Sequence, residues 1–298
     1  MNTICIIIPI HNRLLLTQKG IRSLYDALSY HQNHVLDSAY RFAVVVVDDG
    51  STDGSSEWIS RHYPDIHLIK GDGNLWWSGA VNLGAKHAVE HLQADFVILW
   101  NDDTLCEIDY FVELDAVLKK EPAYSRSILV SKIYWLGESN KLFNYGCYYS
   151  HKTGQKKLIG ANETDRGQFN DIIRIDWSGG MGTVIPATVL TKVGFFDADI
   201  FPQYHGDMDF FLRAGKLGVA SFAVPTLKIY NNRESTGLTK ARSFDDLRKM
   251  LVSNRSLHNI RHNIVLNKRH ANTVFGWANL TLSYAKLIIK SLRTIVWA

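Results

Sequence analysis

The sequence predicts an α/β fold: a mostly parallel, mixed sheet flanked by helices and followed by a C-terminal helical extension. Three observations carry this expectation. Continuous apolar runs at Ile4 to Ile8, Phe42 to Val47 and Phe96 to Trp100 suit strands buried on both faces of a parallel sheet. Segments with apolar residues at helical intervals alternate with them, most clearly Leu14 to about Tyr30 (Leu14, Ile21, Leu24, Tyr25, Leu28). Two of the runs end in adjacent carboxylates, Asp48-Asp49 and Asp102-Asp103, at strand ends where open α/β sheets bind ligands.

The first strand leads through Pro9-Ile10-His11-Asn12-Arg13 into the first helix. The second runs into Asp48-Asp49-Gly50-Ser51-Thr52-Asp53-Gly54 and a short helix, Ser55 to Tyr63. Ser51, Thr52 and Asp53 read as a turn and N-cap, which accounts less well for Asp48 and Asp49. A third strand, Ile66 to Lys70, precedes Gly71-Asp72-Gly73-Asn74, Trp76-Trp77 and a helix reaching about Leu92. Glycines there let backbone approach a ligand, and a helix start offers free N–H groups to an anion. The tryptophans are either core residues or the wall of a sugar or base pocket.

Four carboxylates gathered at one sheet edge require cations or hydrogen-bond donors. A hard divalent ion with oxygen ligands meets that need, as does a base N–H; the competing reading makes these residues turns and caps. After Asp103 come a helix from about Ile108 to Lys120 and antiparallel strands within Ile128 to Lys157. There Tyr145, Tyr148 and Tyr149 are either acceptor-groove aromatics or half-buried strand residues. Asp176 to Thr183 is glycine-rich without a chemistry readable from its spacing, and a helix follows it, ending near Val193-Gly194. In His205-Gly206-Asp207-Met208-Asp209, Asp209 has an ion-pair partner four residues on in Arg213. Asp207, at the helix mouth, is either an N-cap or a general base facing a cleft.

Composition narrows the classes. Three dispersed cysteines (Cys5, Cys106, Cys147) form neither a disulfide framework nor a zinc motif. The N-terminus lacks the charged start and long apolar core of a signal peptide, so a cytoplasmic location is expected. No G-x-G-x-x-G follows the first strand, against a dinucleotide dehydrogenase, and a phosphatase would want Asp-x-Asp where Asp48 and Asp49 are adjacent. The net charge of +4 hides a division: from Lys240 onward eleven Lys and Arg face two acidic residues, a balance of +9, against −5 for the first 239 residues.

Together these pieces resemble glycosyltransferase family 2, the inverting nucleotide-sugar transferases of GT-A fold, with a Rossmann-like sheet. The carriers are Ile7 to Arg13, Val46 to Gly54, Gly73 to Gly84, Asn101-Asp102-Asp103 and His205 to Asp209 with Leu212-Arg213, within a span of roughly Ile4 to Asn232. The resemblance implies a catalytic domain over 1–235 and a basic helical extension over 236–298. It implies donor-nucleotide contacts from Pro9, His11, Asn12, Asp49, Gly73, Asn74, Trp77, Asn82 and Asp102, with Asp49 on the base. Asp103 would bind Mn²⁺ or Mg²⁺, and Asp207 would deprotonate the acceptor.

The segment is closest to rhamnosyltransferases of that family, with two departures. Gly206 replaces an acidic neighbour of the base, and Asn231-Asn232 precede Ser235-Thr236 where a histidine is common. The activity implied is metal-dependent inverting transfer from a nucleoside-diphosphate sugar to a hydroxyl of a glycan or lipid-linked acceptor, in bacterial surface polysaccharide synthesis. The alternative, prompted by Gly206, is a non-catalytic sugar-nucleotide or glycan-binding protein. No nucleic acid is expected as a partner.

The tail reads as two helices, Asp245 to Asn267 and Asn272 to Trp297, the second with Phe275, Leu282, Ile289, Leu292 and Val296 at helical spacing and Lys286, Lys290 and Arg293 elsewhere on the wheel. It is too interrupted to span a bilayer. Its candidate roles are an interfacial helix on anionic lipid at the cytoplasmic face of the inner membrane, packing on the catalytic domain, or a homodimer contact.

Overall fold

The computed structural model describes residues 1–138, 140–232 and 241–296. Ser235 and Thr236, and the expected domain boundary between 235 and 236, lie outside them. Alternation of strand and helix is immediate: β1 (Asn2–Ile10), α1 (Leu14–His34), β2 (Tyr40–Asp48), α2 (Ser55–His62), β3 (His67–Lys70), α3 (Trp76–Glu90) and β4 (Phe96–Leu99). β1 pairs in parallel with β2 and β4, and β2 with β3, as strand–helix–strand units do. Apolar residues on both faces of these strands are buried, Ile4 to Ile8 and Val44 to Val47 among them, which is why the runs are continuous.

The second half mixes directions. β5 (Leu105–Cys106) and α4 (Tyr110–Lys120) precede β6 (Ile128–Trp135), β7 (Leu142–Asn144) and the hairpin of β8 (Cys147–Tyr149) and β9 (Lys156–Leu158). Then come β10 (Ile173–Ile175), β11 (Thr183–Pro186), α5 (Ala187–Val193), α6 (Gly206–Lys216) and β12 (Ser221–Asn231). The main path of the sheet is β10-β12-β6-β11-β4-β1-β2-β3, with β11 antiparallel to β4 and β6, and β6 parallel to β12. Helices line both faces, and the C-terminal ends of β1, β2 and β4 meet along one edge.

The antiparallel expectation for 128–157 holds for β7, β8 and β9, while β10, β11 and β12 lie in stretches whose sequence carries no clear strand pattern. Tyr145 and Tyr149 are core residues, not groove aromatics: Tyr145 is buried and donates to the Asp171 and Ala223 carbonyls, and only Tyr148 is exposed. The three cysteines are free, and burial pushes their thiols well above the usual range, so none is poised as a thiolate.

The extension departs from the two helices expected. Asp245 to Asn267 is broken into α7 (Phe244–Val252) and α8 (Ile260–His270), each started by its own side-chain cap, Ser243 and Asn259. α9 (Val274–Val296) follows. α8 docks on α6: Arg269 pairs with Asp197 (2.6 Å) and Asp209 (3.2 Å), and His270 Nε2 lies 2.9 Å from Asp209. Among the described residues, no helix is long and apolar enough to cross a membrane.

Candidate active site

At the sheet edge, the first question is where the four carboxylates find their donors. Asp48 turns inward, accepting from Ser51 N–H (2.8 Å) and the Ser56 hydroxyl. It is a turn residue, and the plain reading prevails there. Asp49 accepts from three backbone N–H groups, those of Gly73 (2.8 Å), Leu75 (3.2 Å) and Trp76 (3.1 Å). The helix start expected to offer N–H groups to a ligand anion therefore receives this carboxylate first. A carboxylate has about four acceptor directions, so one remains for a base N–H.

His11 and Asn12 bind the 9–13 and 48–54 turns together. His11 Nδ1–H donates to the Asp49 carbonyl (2.6 Å), while Asn12 accepts from Thr52 N–H (2.8 Å) and its own N–H reaches Ser51 Oγ (3.0 Å). Asn12 holds a left-handed backbone (φ 50°), which asparagine tolerates better than most residues. Asp53 accepts at the starts of both α1 and α2, from Leu14 N–H (2.8 Å) and Ser55 N–H (3.1 Å). Pro9 is the penultimate residue of β1, and the exposed His11, Gly73 and Asn74 form the outer rim.

Asp102 and Asp103 share a cation from the chain itself. Arg13 Nη1 reaches Asp102 (2.8 Å) and Nη2 reaches Asp103 (2.5 Å), a forked contact that lysine would not make. Burial still pushes the Asp102 carboxyl up to about 7, because the guanidinium offsets only part of the desolvation and the Asp103 charge adds to it. Gly20 of α1 sets the height of the pair: a Cβ there would stand 2.2 Å from the Asp102 carbonyl oxygen.

Trp77 links this pair to the opposite wall. Its Nε1–H donates to Asn101 Oδ1 (3.1 Å), and its ring lies so close over Gly180 that a Cβ on that residue would fall 2.3 Å from Cζ2. Gly179, beside it, lies against Asp207, and the Gly180 N–H is directed at the Asp207 carboxylate. The glycine-rich stretch thus admits a tryptophan edge on one side and the Asp207 carboxylate on the other, a role visible only once Trp77 is placed. Asn82, in contrast, uses both ends of its amide on the Phe196 backbone (2.8 and 2.9 Å), so it ties α3 to the 195–197 loop.

Asp207 sits in the first turn of α6, with one oxygen accepting from Met208 N–H (2.7 Å). The N-cap position is His205, in a left-handed backbone (φ 70°), so Asp207 is not the cap residue. Burial raises the Asp207 carboxyl above its ordinary value, against the pull of those N–H groups and of Lys156. Lys156 is on β9, a three-residue strand (Lys-Lys-Leu) whose sequence is that of plain surface. Solvent reaches it, but protein surrounds it, and this pushes its ammonium down to about 8 while Asp207 opposes the shift.

Gly206 has a steric explanation. A Cβ there would meet Ser78 Oγ at 2.5 Å and the Phe201 carbonyl at 3.2 Å; Ser78 Oγ donates to that carbonyl (2.6 Å) and Ser78 N–H to Pro202 O (2.8 Å). An acidic side chain has no room beside this bond. Gly206→Glu is expected to destabilise the fold by about 1–3 kcal/mol through overpacking, with part of the loss recovered in Gly206→Glu/Ser78→Ala, as urea unfolding would show.

The C-terminal segment touches the residues around the site. Arg255 stacks over the Trp76 ring (5.7 Å to the centroid), and His205 Nε2–H donates to the Leu257 carbonyl (3.0 Å). Among the described residues no three His, Cys, Asp or Glu side chains gather as a metal cage. A divalent ion here would take Asp103 as its protein ligand and complete its shell from phosphates and water, the habit of Mg²⁺-type sites.

The family profile described as Glycosyl transferase family 2 matches residues 5–163, more than half of the chain. The chain belongs to this family. Within it, the low-salt glycan biosynthesis hexosyltransferase Agl10 of Haloferax volcanii is 25% identical over 173 residues, 57% of this chain and 52% of that protein. The N-acetylglucosaminyl-diphospho-decaprenol L-rhamnosyltransferase of Mycobacterium tuberculosis is 26% identical over 219 residues, 65% of this chain and 68% of that protein. The fold is GT-A. It superposes on GalNAc-T7 solved with UDP, GalNAc and Mn²⁺ (TM-score 0.57, 13% identity, 78% of this chain and 44% of that one). It also superposes on the mannosyltransferase PcManGT of Pyrobaculum calidifontis in complex with GDP-Man and Mn²⁺ (0.53, 16%, 89% and 64%). The chain spans about half the length of the haloarchaeal relative and less than half of GalNAc-T7.

Proposed function

We propose that this family member is an inverting glycosyltransferase, moving a sugar from a nucleoside diphosphate to a hydroxyl of a glycan or lipid-linked acceptor in surface polysaccharide synthesis. The observation that supports the proposal is the position of Trp77, whose Nε1–H donates to Asn101 beside the Asp102-Asp103 pair and whose ring lies over Gly180, the residue whose N–H is directed at Asp207. The relatives named as a rhamnosyltransferase and a hexosyltransferase support the reaction class.

In this reading the rim of Pro9, His11, Asn12, Gly73 and Asn74 receives the nucleotide, with the remaining acceptor direction of Asp49 toward the base. Asp103 would hold Mn²⁺ or Mg²⁺, which supplies positive charge to the departing diphosphate. Asp102 and Arg13 fix the orientation of that carboxylate. Asp207, which has no ion-pair partner at bonding distance among the described residues, takes the proton of the acceptor hydroxyl as it attacks the anomeric carbon. The raised affinity of Asp207 for a proton, set by burial, suits a base better than an ordinary carboxylate does.

The test is release of nucleoside diphosphate from UDP-, GDP- and dTDP-sugars with Mn²⁺, with and without glycan and polyprenyl-linked acceptors. Acceptor-dependent release supports transfer; donor binding without release with any acceptor would leave a sugar-nucleotide-binding protein. Asp103→Ala is expected to abolish the Mn²⁺-dependent part of the donor-induced thermal shift while leaving the ligand-free melting temperature nearly unchanged.

A further inference from the structure

Among the described residues α9 is packed mainly by one face, with Lys152 also set over the Phe275 ring at its start (4.9 Å to the centroid). Tyr284 OH donates to the His258 carbonyl (2.9 Å), and Leu287 and Ile295 lie against Ala241, Leu247 and Met250. On the opposite face Phe275, Leu282, Ile289 and Val296 recur every seven residues, exposed at 59%, 59%, 52% and 71%. Ala278, Ala285 and Leu292 fill the positions between them and are also exposed. At 1.5 Å per residue the stripe is about 30 Å long, more continuous apolar surface than a soluble face ordinarily leaves open.

A seven-residue repeat fits two occupants, a second copy of the helix or a lipid surface, and charge separates them. Lys286, Lys290 and Arg293 line one edge of the stripe, and no acidic residue follows Asp246 anywhere in the chain. In a self-paired seam, Lys286 and Arg293 would occupy flanking positions that need Glu or Asp from the partner helix, and an identical helix has none to give. An anionic bilayer supplies the missing charge across the whole edge.

We propose that α9 is an interfacial helix that docks the chain on an anionic lipid bilayer. Phe275, Leu282, Ile289 and Val296 enter the acyl boundary, and Lys286, Lys290 and Arg293 meet the headgroup phosphates. This inference is independent of the transferase reading, and its test involves no turnover.

The full chain is sedimented with vesicles of phosphatidylcholine alone or mixed with phosphatidylglycerol, at low and high salt. Binding to the mixed vesicles is expected, and it falls with salt and nearly vanishes without the anionic lipid. Lys286→Gln/Lys290→Gln/Arg293→Gln should weaken binding by about 100-fold. Leu282→Glu/Ile289→Glu should abolish it with an unchanged melting temperature, because both positions are exposed. Absence of the chain from anionic vesicles overturns the proposal. So does a dimer, seen by light scattering without lipid, that Leu282→Glu/Ile289→Glu dissociates, since that outcome assigns the stripe to a second copy.

Discussion

Asp207→Asn is expected to slow sugar transfer by about 10³-fold and to leave donor binding and the melting temperature nearly unchanged. Asparagine keeps the oxygen that accepts from Met208 N–H and fits the same space, but it cannot take a proton. The pH profile carries a second signature. A base works only when deprotonated, and burial raises the Asp207 carboxyl, so the acid limb of kcat/KM should lie above the range of an exposed carboxylate. Lys156 holds that carboxyl down while it is charged, below about 8. Lys156→Met should therefore move the acid limb further upward, a displacement that a merely structural lysine would not cause. Near-normal turnover of Asp207→Asn would place the base elsewhere.

Asp209→Ala should destabilise the protein by about 3–5 kcal/mol, read by urea or thermal unfolding. Asp209 has no exposed surface and accepts from Arg213 Nε (2.8 Å), Arg269 Nη1 (3.2 Å) and His270 Nε2 (2.9 Å). Removing it leaves two guanidinium groups and an imidazole without their shared acceptor. Burial alone would raise this carboxyl, but the bonds from His270 and Arg213 outweigh burial and hold it at about 2. The folded value lies below the unfolded one, so its contribution is fully present above about pH 4 and is lost as pH falls toward 2. Stability of the wild type should decline over that window more steeply than that of Asp209→Ala.

The contrast between these two aspartates shows what the sequence makes legible. Asp209 and Arg213 are four apart on one helix, and their pairing follows from spacing alone; Arg269 and His270 reach the same carboxylate from sixty residues away, where spacing says nothing. The strands β1, β2 and β4 are readable because both faces are buried and their apolar runs are unbroken. β10 and β12 sit toward the outer edge, β12 alternates buried with less buried positions, and neither stands out from its surroundings. The four carboxylates stand at the strand ends that the sequence indicates, but much of what satisfies them is internal. Arg13 faces Asp102 and Asp103 only through the parallel pairing of β1 with β4, and the 73–76 backbone reaches Asp49 only once β3 lies beside β2. Gly206 shows the same limit: its reason lies in Ser78, 128 positions earlier in the chain.

The bond from His205 to the Leu257 carbonyl redraws the unit that can be exchanged between relatives. A bulky residue in left-handed backbone costs about 1–3 kcal/mol where nothing over-determines it, and here the tether spans 52 positions. A chimaera joined just after β12 would inherit Asp207, the proposed base, but not the hand that holds its turn. Grafting a new acceptor preference onto this sheet therefore calls for a crossover beyond Asn263, so that the loop between α7 and α8 travels with the helix it steadies.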